Sequence, residues 1–259
     1  MNRERQLAEA FVTLSDTYAT EFDPLHLFHH LVHTCRDLLG IDAASVMIAD
    51  ARGVLRTMAA TDDAAAFTEL LYLQTGCGPC VDCYRTGEPV ALPDDGAASA
   101  RWPQHAEAMA DAGYRALLSL PMRLHDHSLG VLTLLREDAE RVGDDDAHLA
   151  QSLADLSALA LMHWTAEPAP AGDIVTRVQS VIASKATLEI AKGMVAEYAR
   201  TSIPAAARLL GAYAARHRVR LTDTAQALVN RTLDVSVVSV VGREAEREVR
   251  EAERSEPDG

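Results

Sequence analysis

Three cysteines fall at positions 77, 80 and 83, and the series Cys77-x2-Cys80-x2-Cys83 is open to three uses. Three thiolates at this interval can point to one centre and ligate a metal ion or an iron–sulfur group. A closed tetrahedral zinc site needs a fourth ligand, which Cys35 or a histidine would have to bring from elsewhere in the fold. The same thiols could act as a redox switch. Pro79 suits the first position of a helix and would set Cys80 near the positive end of the helix dipole, which favours a thiolate; the acidic surroundings push the other way. In the third use Cys80 and Cys83 are simply small apolar residues of a buried segment. His26, His29, His30 and His33 have the i, i+3, i+4, i+7 spacing by which imidazoles meet at a metal. They lie opposite an apolar stripe, however, as a solvated or dimer-facing helix surface does.

A second group of residues suits anion binding. Lys185 and Lys192 are the only lysines, against 22 arginines. Seven residues are two helical turns, so on a helix both ammonium groups share a face, roughly 10 Å apart. Arg216, Arg218 and Arg220 alternate along the connection between two later helical stretches. With the small residues Ala191 and Gly193, these five cations form a face that a polyanion backbone could approach closely.

Charge is distributed to match. The chain of 259 residues carries a formal charge of −14. Residues 1–173 hold 11 Lys+Arg against 27 Asp+Glu, or −16; residues 174–234 hold 9 against 4, or +5; residues 235–259 hold 4 against 7, or −3. An acidic body is therefore joined to a basic module, and only the basic part attracts nucleic acid. No apolar run reaches the ~18 residues of a membrane span, and the N-terminus lacks the apolar core of a signal peptide, so the expected location is the cytoplasm. There is no Gly-rich phosphate loop, His-Glu-x-x-His or Gly-x-Ser-x-Gly, so an enzyme is not expected. No pattern names a cofactor.

The elements that must position these residues follow from periodicity. Helices are expected at 3–20 and, with Asp23 as cap and Pro24 at the first position, up to Gly40. Strands at 43–49 and 54–60 form a hairpin turning at Asp50–Gly53. A helix from Asp62 to about Leu73, the cysteine segment, a short strand at 89–92 and a helix at 101–112 follow. Strands at 114–121 and 128–136 turn at 125–127, and a last helix runs from Asp144 to Trp164. One antiparallel sheet covered by helices, an α+β fold, accounts for that order. Beyond the Pro-containing stretch at 166–173, Ile174, Val178, Val181, Ile182, Leu188, Val195 and Tyr198 keep a heptad rhythm that predicts a helix pairing with its copy in a homodimer. The tail from 235 is expected to be disordered.

Gly78-Pro79-Cys80, Thr86-Gly87-Glu88-Pro89-Val90, the segment from Gly113 to Met122, and Gly130-Val131-Leu132-Thr133-Leu134 resemble, in order and spacing, a GAF domain, a small-molecule sensor fold. Leu188, Ala191, Lys192, Gly193 and Met194, followed by Ala205, Ala206, Leu209, Leu210 and Ala214 and then by 220–225, resemble the ANTAR domain, a three-helix RNA-binding module of transcription antiterminators. The resemblance implies a sensor domain at 1–165, a linker at 166–173 and an all-α RNA-binding domain at 174–234. The implied partners are a stem-loop RNA leader and an unidentified small molecule, with no membrane. Two other classes stay open: a GAF-like methionine sulfoxide reductase using the cysteines, and a helix-turn-helix that docks on DNA.

Overall fold

The hairpin after Gly40 forms where its turn chemistry places it. Strands β1 (Ala43–Ala49) and β2 (Leu55–Ala60) pair antiparallel. In the turn the Asp50 carboxylate accepts the backbone N–H groups of Arg52 and Val54, and Gly53 takes the φ of +74° that glycine adopts without steric cost. The computed structural model describes residues 3–15, 23–61, 76–92, 101–125, 127–163 and 174–244. The helix expected from Asp62, the acidic loop before Arg101 and the linker at 166–173 lie outside these.

The hairpin joins a five-stranded antiparallel sheet of order β2-β1-β5-β4-β3, where β3 is Val90–Leu92, β4 is Ala116–Leu124 and β5 is His127–Arg136. All seven residues of β1 are buried, because helices cover both faces of the sheet. One face carries α2 (Pro24–Leu39) and α5 (Asp144–His163), with α1 (Arg3–Ser15) against both. The apolar stripe of α2, Leu25, Phe28, Leu31, Val32, Cys35, Leu38 and Leu39, is buried throughout. The other face carries α3 (Pro79–Thr86) and α4 (Pro103–Asp111). Gly130 lets β1 and β5 approach: a Cβ there would sit 2.1 Å from the Met47 carbonyl oxygen.

The described residues fall into two compact units that part inside α6 (Ile174–Ala199), between Gln179 and Ser180. The second unit is helical: α6 is followed by α7 (Ile203–His217) and α8 (Leu221–Val229). Ser202 caps α7, its hydroxyl accepting the Ala205 N–H, and Pro204 occupies the first turn, where a missing N–H costs nothing.

Two expectations are corrected here. Residues 235–244, expected to be disordered, are a helix, α9. It buries Val238 and Ser239 and crosses α7 so closely that a Cβ on Gly242 would sit 2.5 Å from the Leu209 carbonyl oxygen. The valine run reads as frayed chain in isolation; packing against α7 is what makes it helical. On α6, four of the residues expected to face a second copy, Val178, Val181, Leu188 and Val195, are 4%, 0%, 5% and 0% exposed in the single chain, whereas Tyr198 of the same set is 55% exposed.

Candidate nucleic-acid interface and sensor face

In the helical unit the two lysines converge on one carboxylate. Lys185 Nζ lies 3.0 Å and Lys192 Nζ 2.9 Å from Glu189 Oε1. Four residues in one direction and three in the other place all three side chains on one face of α6. Burial works to raise the Glu189 carboxyl, but hydrogen bonds from Lys192 and Lys185 outweigh it and hold the group below its usual value. The Lys192 side chain is only 18% exposed, so its methylenes cover part of the unit's core while the ammonium reaches out. Ala191, expected on the open face, is fully buried; it packs inward. Gly193 does face open space, since a Cβ added there would meet nothing within 4 Å.

Arg216 lies in the last turn of α7, Arg218 caps its C-terminus and Arg220 caps the start of α8. Arg216 and Arg218 are exposed, and Arg220 pairs with Asp223 at 2.8 Å. The structure thus joins the two lysines through Glu189 and strings the three arginines along one connection. Two cations carried no signal in the sequence. Arg200, after α6, and Arg231, after α8, share with Arg218 a left-handed backbone (φ 49°, 59° and 52°). A side chain there costs about 1 kcal/mol relative to the usual glycine. All three are exposed cations next to the negative end of a helix, which offsets part of that cost.

In the first unit, α3 sets the cysteines. Gly78 is its N-cap, Pro79 its first residue, and Gly87 ends it in the left-handed conformation with its N–H donated to the Cys83 carbonyl. Cys77 is exposed; Cys80 and Cys83 are fully buried. Burial, and then the neighbouring Cys80, push the Cys83 thiol well above the usual range, and burial alone pushes Cys35 up to about 12. Among the described residues no three His, Cys, Asp or Glu side chains converge as metal ligands. His29 and His33 do meet, Nε2 to Nε2 at 3.2 Å, with His26 and His29 exposed and His30 and His33 half-buried.

The sheet face under α3 and α4 has a polar row that sequence patterns did not reveal. Ser45 of β1 pairs in register with Thr133 of β5, which pairs with Ser119 of β4. All three hydroxyls are buried, and Cys80 Sγ lies 3.4 Å from Ser119 Oγ and 3.2 Å from Thr133 Oγ1. An apolar cluster stands on either side: Ala43, Leu117 and Leu135 with Trp102 and Met109 towards α4, and Met47 and Val131 with Cys80 and Cys83 towards α3. Small-molecule sites are lined by apolar side chains with a few fixed polar groups, which is the make-up of this face beneath α3 and α4. His105 of α4 is also buried, which lowers its imidazole to about 4.

Comparisons with known proteins agree with this division. The GAF domain family matches residues 23–161 and the ANTAR domain family residues 176–229. Similar solved structures include the GAF domain of an Acinetobacter phosphoenolpyruvate-protein phosphotransferase, at 15% identity over 65% of this chain and 100% of that one, with a TM-score of 0.48. The GAF domain of the corresponding Coxiella burnetii protein gives 17% identity over 63% and 96%, with a TM-score of 0.46. That of the cyanobacteriochrome TePixJ gives 23% over 56% and 94%, with a TM-score of 0.45. No curated protein matches the chain.

Proposed function

Because the chain belongs to the GAF family over residues 23–161 and carries an ANTAR domain at 176–229, we propose that it is a signal-responsive transcription antitermination regulator. GAF and ANTAR are regulatory rather than catalytic domains. In this reading the first unit takes a small molecule on the sheet face of Ser45, Thr133 and Ser119. The second binds a stem-loop RNA leader through Lys185, Lys192, Arg216, Arg218 and Arg220. The protein acts as a homodimer in the cytoplasm, where nascent transcripts are made.

The observation that carries the reading is the convergence of the only two lysines on Glu189. A carboxylate held between two ammonium groups has the charge and hydrogen-bonding needs of a phosphate oxygen, so the same pair can hold an RNA backbone. The test is stem-loop affinity over a salt series for the wild type, Lys192→Ala and Arg218→Ala, with duplex DNA as competitor and thermal melting as fold control. Arg218→Ala is expected to melt normally and Lys192→Ala, which also loses the packing of its methylenes, to stay folded with a lower melting temperature; each is expected to bind more weakly and to lower the slope of log affinity against log salt by about 0.7, one single-strand phosphate contact. Unchanged affinity and slope in both variants would remove these residues from the interface. Equal competition by duplex DNA would replace the RNA reading with DNA binding.

A further inference from the structure

The cysteine cluster is the reactive group that RNA regulation leaves unused. In Cys77-Gly78-Pro79-Cys80 two thiols stand three residues apart across a helix start, Cys77 just before the N-cap Gly78 and Cys80 inside the first turn of α3. Their environments differ. Cys77 is exposed and can meet a dissolved reagent, whereas Cys80 is fully buried and cannot. None of the four cysteines is in a disulfide. An exposed cysteine just before a helix start and a second one inside its first turn have the Cys-x2-Cys spacing that disulfide oxidoreductases use. Cys83 is a poor substitute for Cys80. It lies a further turn along α3, six residues from Cys77, beyond the Cys-x2-Cys interval.

We propose that Cys77 and Cys80 form a redox-active dithiol site that takes low-molecular-weight disulfides as its oxidant. The Cys77 thiolate attacks one sulfur of the oxidant RS–SR; a Cys77–SR bond forms, the S–S bond breaks, and RS⁻ leaves with the proton that Cys77 gave up. Cys80 then loses its proton and attacks the Cys77 sulfur. The Cys77–Cys80 bond forms and the second RS⁻ leaves as RSH. Two electrons pass from the dithiol to the oxidant, which becomes two thiols, and excess thiol reverses both steps.

The oxidation is felt at the sheet. As a thiol, Cys80 shares hydrogen bonds with Ser119 and Thr133. As a disulfide its sulfur has no proton to donate, and its position is tied to Cys77 instead. Two hydroxyls of the polar row then lose a partner, so the face proposed to hold the small molecule changes with the oxidation state.

The experiment equilibrates the full-length protein in mixtures of glutathione and glutathione disulfide, blocks remaining thiols by alkylation, and reads intact mass and a peptide map. The wild type is expected to lose the mass of two hydrogens and two alkylatable thiols as the disulfide fraction rises, with Cys77 and Cys80 in one linked peptide, and to regain both in excess glutathione. Cys83→Ala is expected to leave the link intact. Cys77→Ser, at an exposed position, is expected to remain folded by circular dichroism and form no link. Glutathione held on Cys77 without resolution, a link between two chains, or a link that survives Cys77→Ser would each overturn the proposal. None of these outcomes depends on RNA binding, so the site and the regulator reading fail separately.

Discussion

The same residue type does different work at the three clustered cysteine positions, and burial decides which. Cys83 is fully buried among Met47, Leu55 and Val131. Cys83→Ser puts a more strongly solvated hydroxyl into this apolar cluster and is expected to destabilise the first unit by about 1–3 kcal/mol. Cys77→Ser, on the surface, is expected to shift stability by less than about 0.5 kcal/mol. Chemical denaturation of the two variants measures both. His105 supplies a pH dependence. Its imidazole is lowered from 6.5 to about 4 by burial, so between these values the unfolded chain binds a proton that the folded one refuses. The contribution is complete above pH 6.5, falls as the pH drops towards 4, and is constant below. At about 1.4 kcal/mol per pKa unit it spans roughly 3 kcal/mol. The melting temperature should fall over that window, and less steeply in His105→Phe. At this scale the lysines and cysteines were legible because their types are rare and their spacing regular. The hydroxyl row was not: Ser45, Ser119 and Thr133 are single polar residues in three apolar strands, and only the pairing register aligns them.

Elements were legible where a local signal sufficed. The turn at Asp50–Gly53, the prolines at positions 24 and 79, and the three aspartates opening α5 each act within a few residues of themselves. Helix α9 has a local signal only at its start, where Asp234 Oδ1 accepts the Ser236 N–H; β-branched valines weaken a lone helix, and the rest of its stability comes from a partner distant in sequence. Two glycines separate these cases. At Gly242 a methyl group would meet the Leu209 carbonyl oxygen at 2.5 Å, so Gly242→Ala forces α9 away from α7 and is expected to cost about 1–3 kcal/mol. Gly193 has open space around it, so Gly193→Ala is expected to stabilise α6 by up to about 1 kcal/mol, the helix-propensity difference. Thermal melting of the two variants in opposite directions is the expected result. A destabilised Gly193→Ala would mean that the open side of α6 is not open.

At the scale of the whole molecule, assembly decides how the cationic face meets RNA. Four of the heptad residues on which a dimer was expected, Val178, Val181, Leu188 and Val195, are buried in the single chain, because a repeat of apolar residues marks a face to be covered without saying what covers it. Alongside these residues α6 leaves a stripe open. Ile190 and Tyr198 are 54% and 55% exposed, eight residues apart, with Met194 between them on the same face. A second copy of α6 laid along this stripe covers both large side chains with two-fold symmetry. The wild type is therefore expected to be a dimer by light scattering at micromolar concentration. Ile190→Glu combined with Tyr198→Glu is expected to give a folded monomer, since both positions lie on the surface. A wild-type monomer, or a double variant that still dimerises, would move the interface elsewhere. The RNA consequence follows from linkage of two sites. A dimer engaging two stem-loops on one transcript gains about 10²–10⁴-fold over a single contact. The monomeric variant should lose that factor on a paired stem-loop target while binding a single stem-loop as the wild type does. Equal losses on both targets would mean instead that Ile190 and Tyr198 touch the RNA themselves.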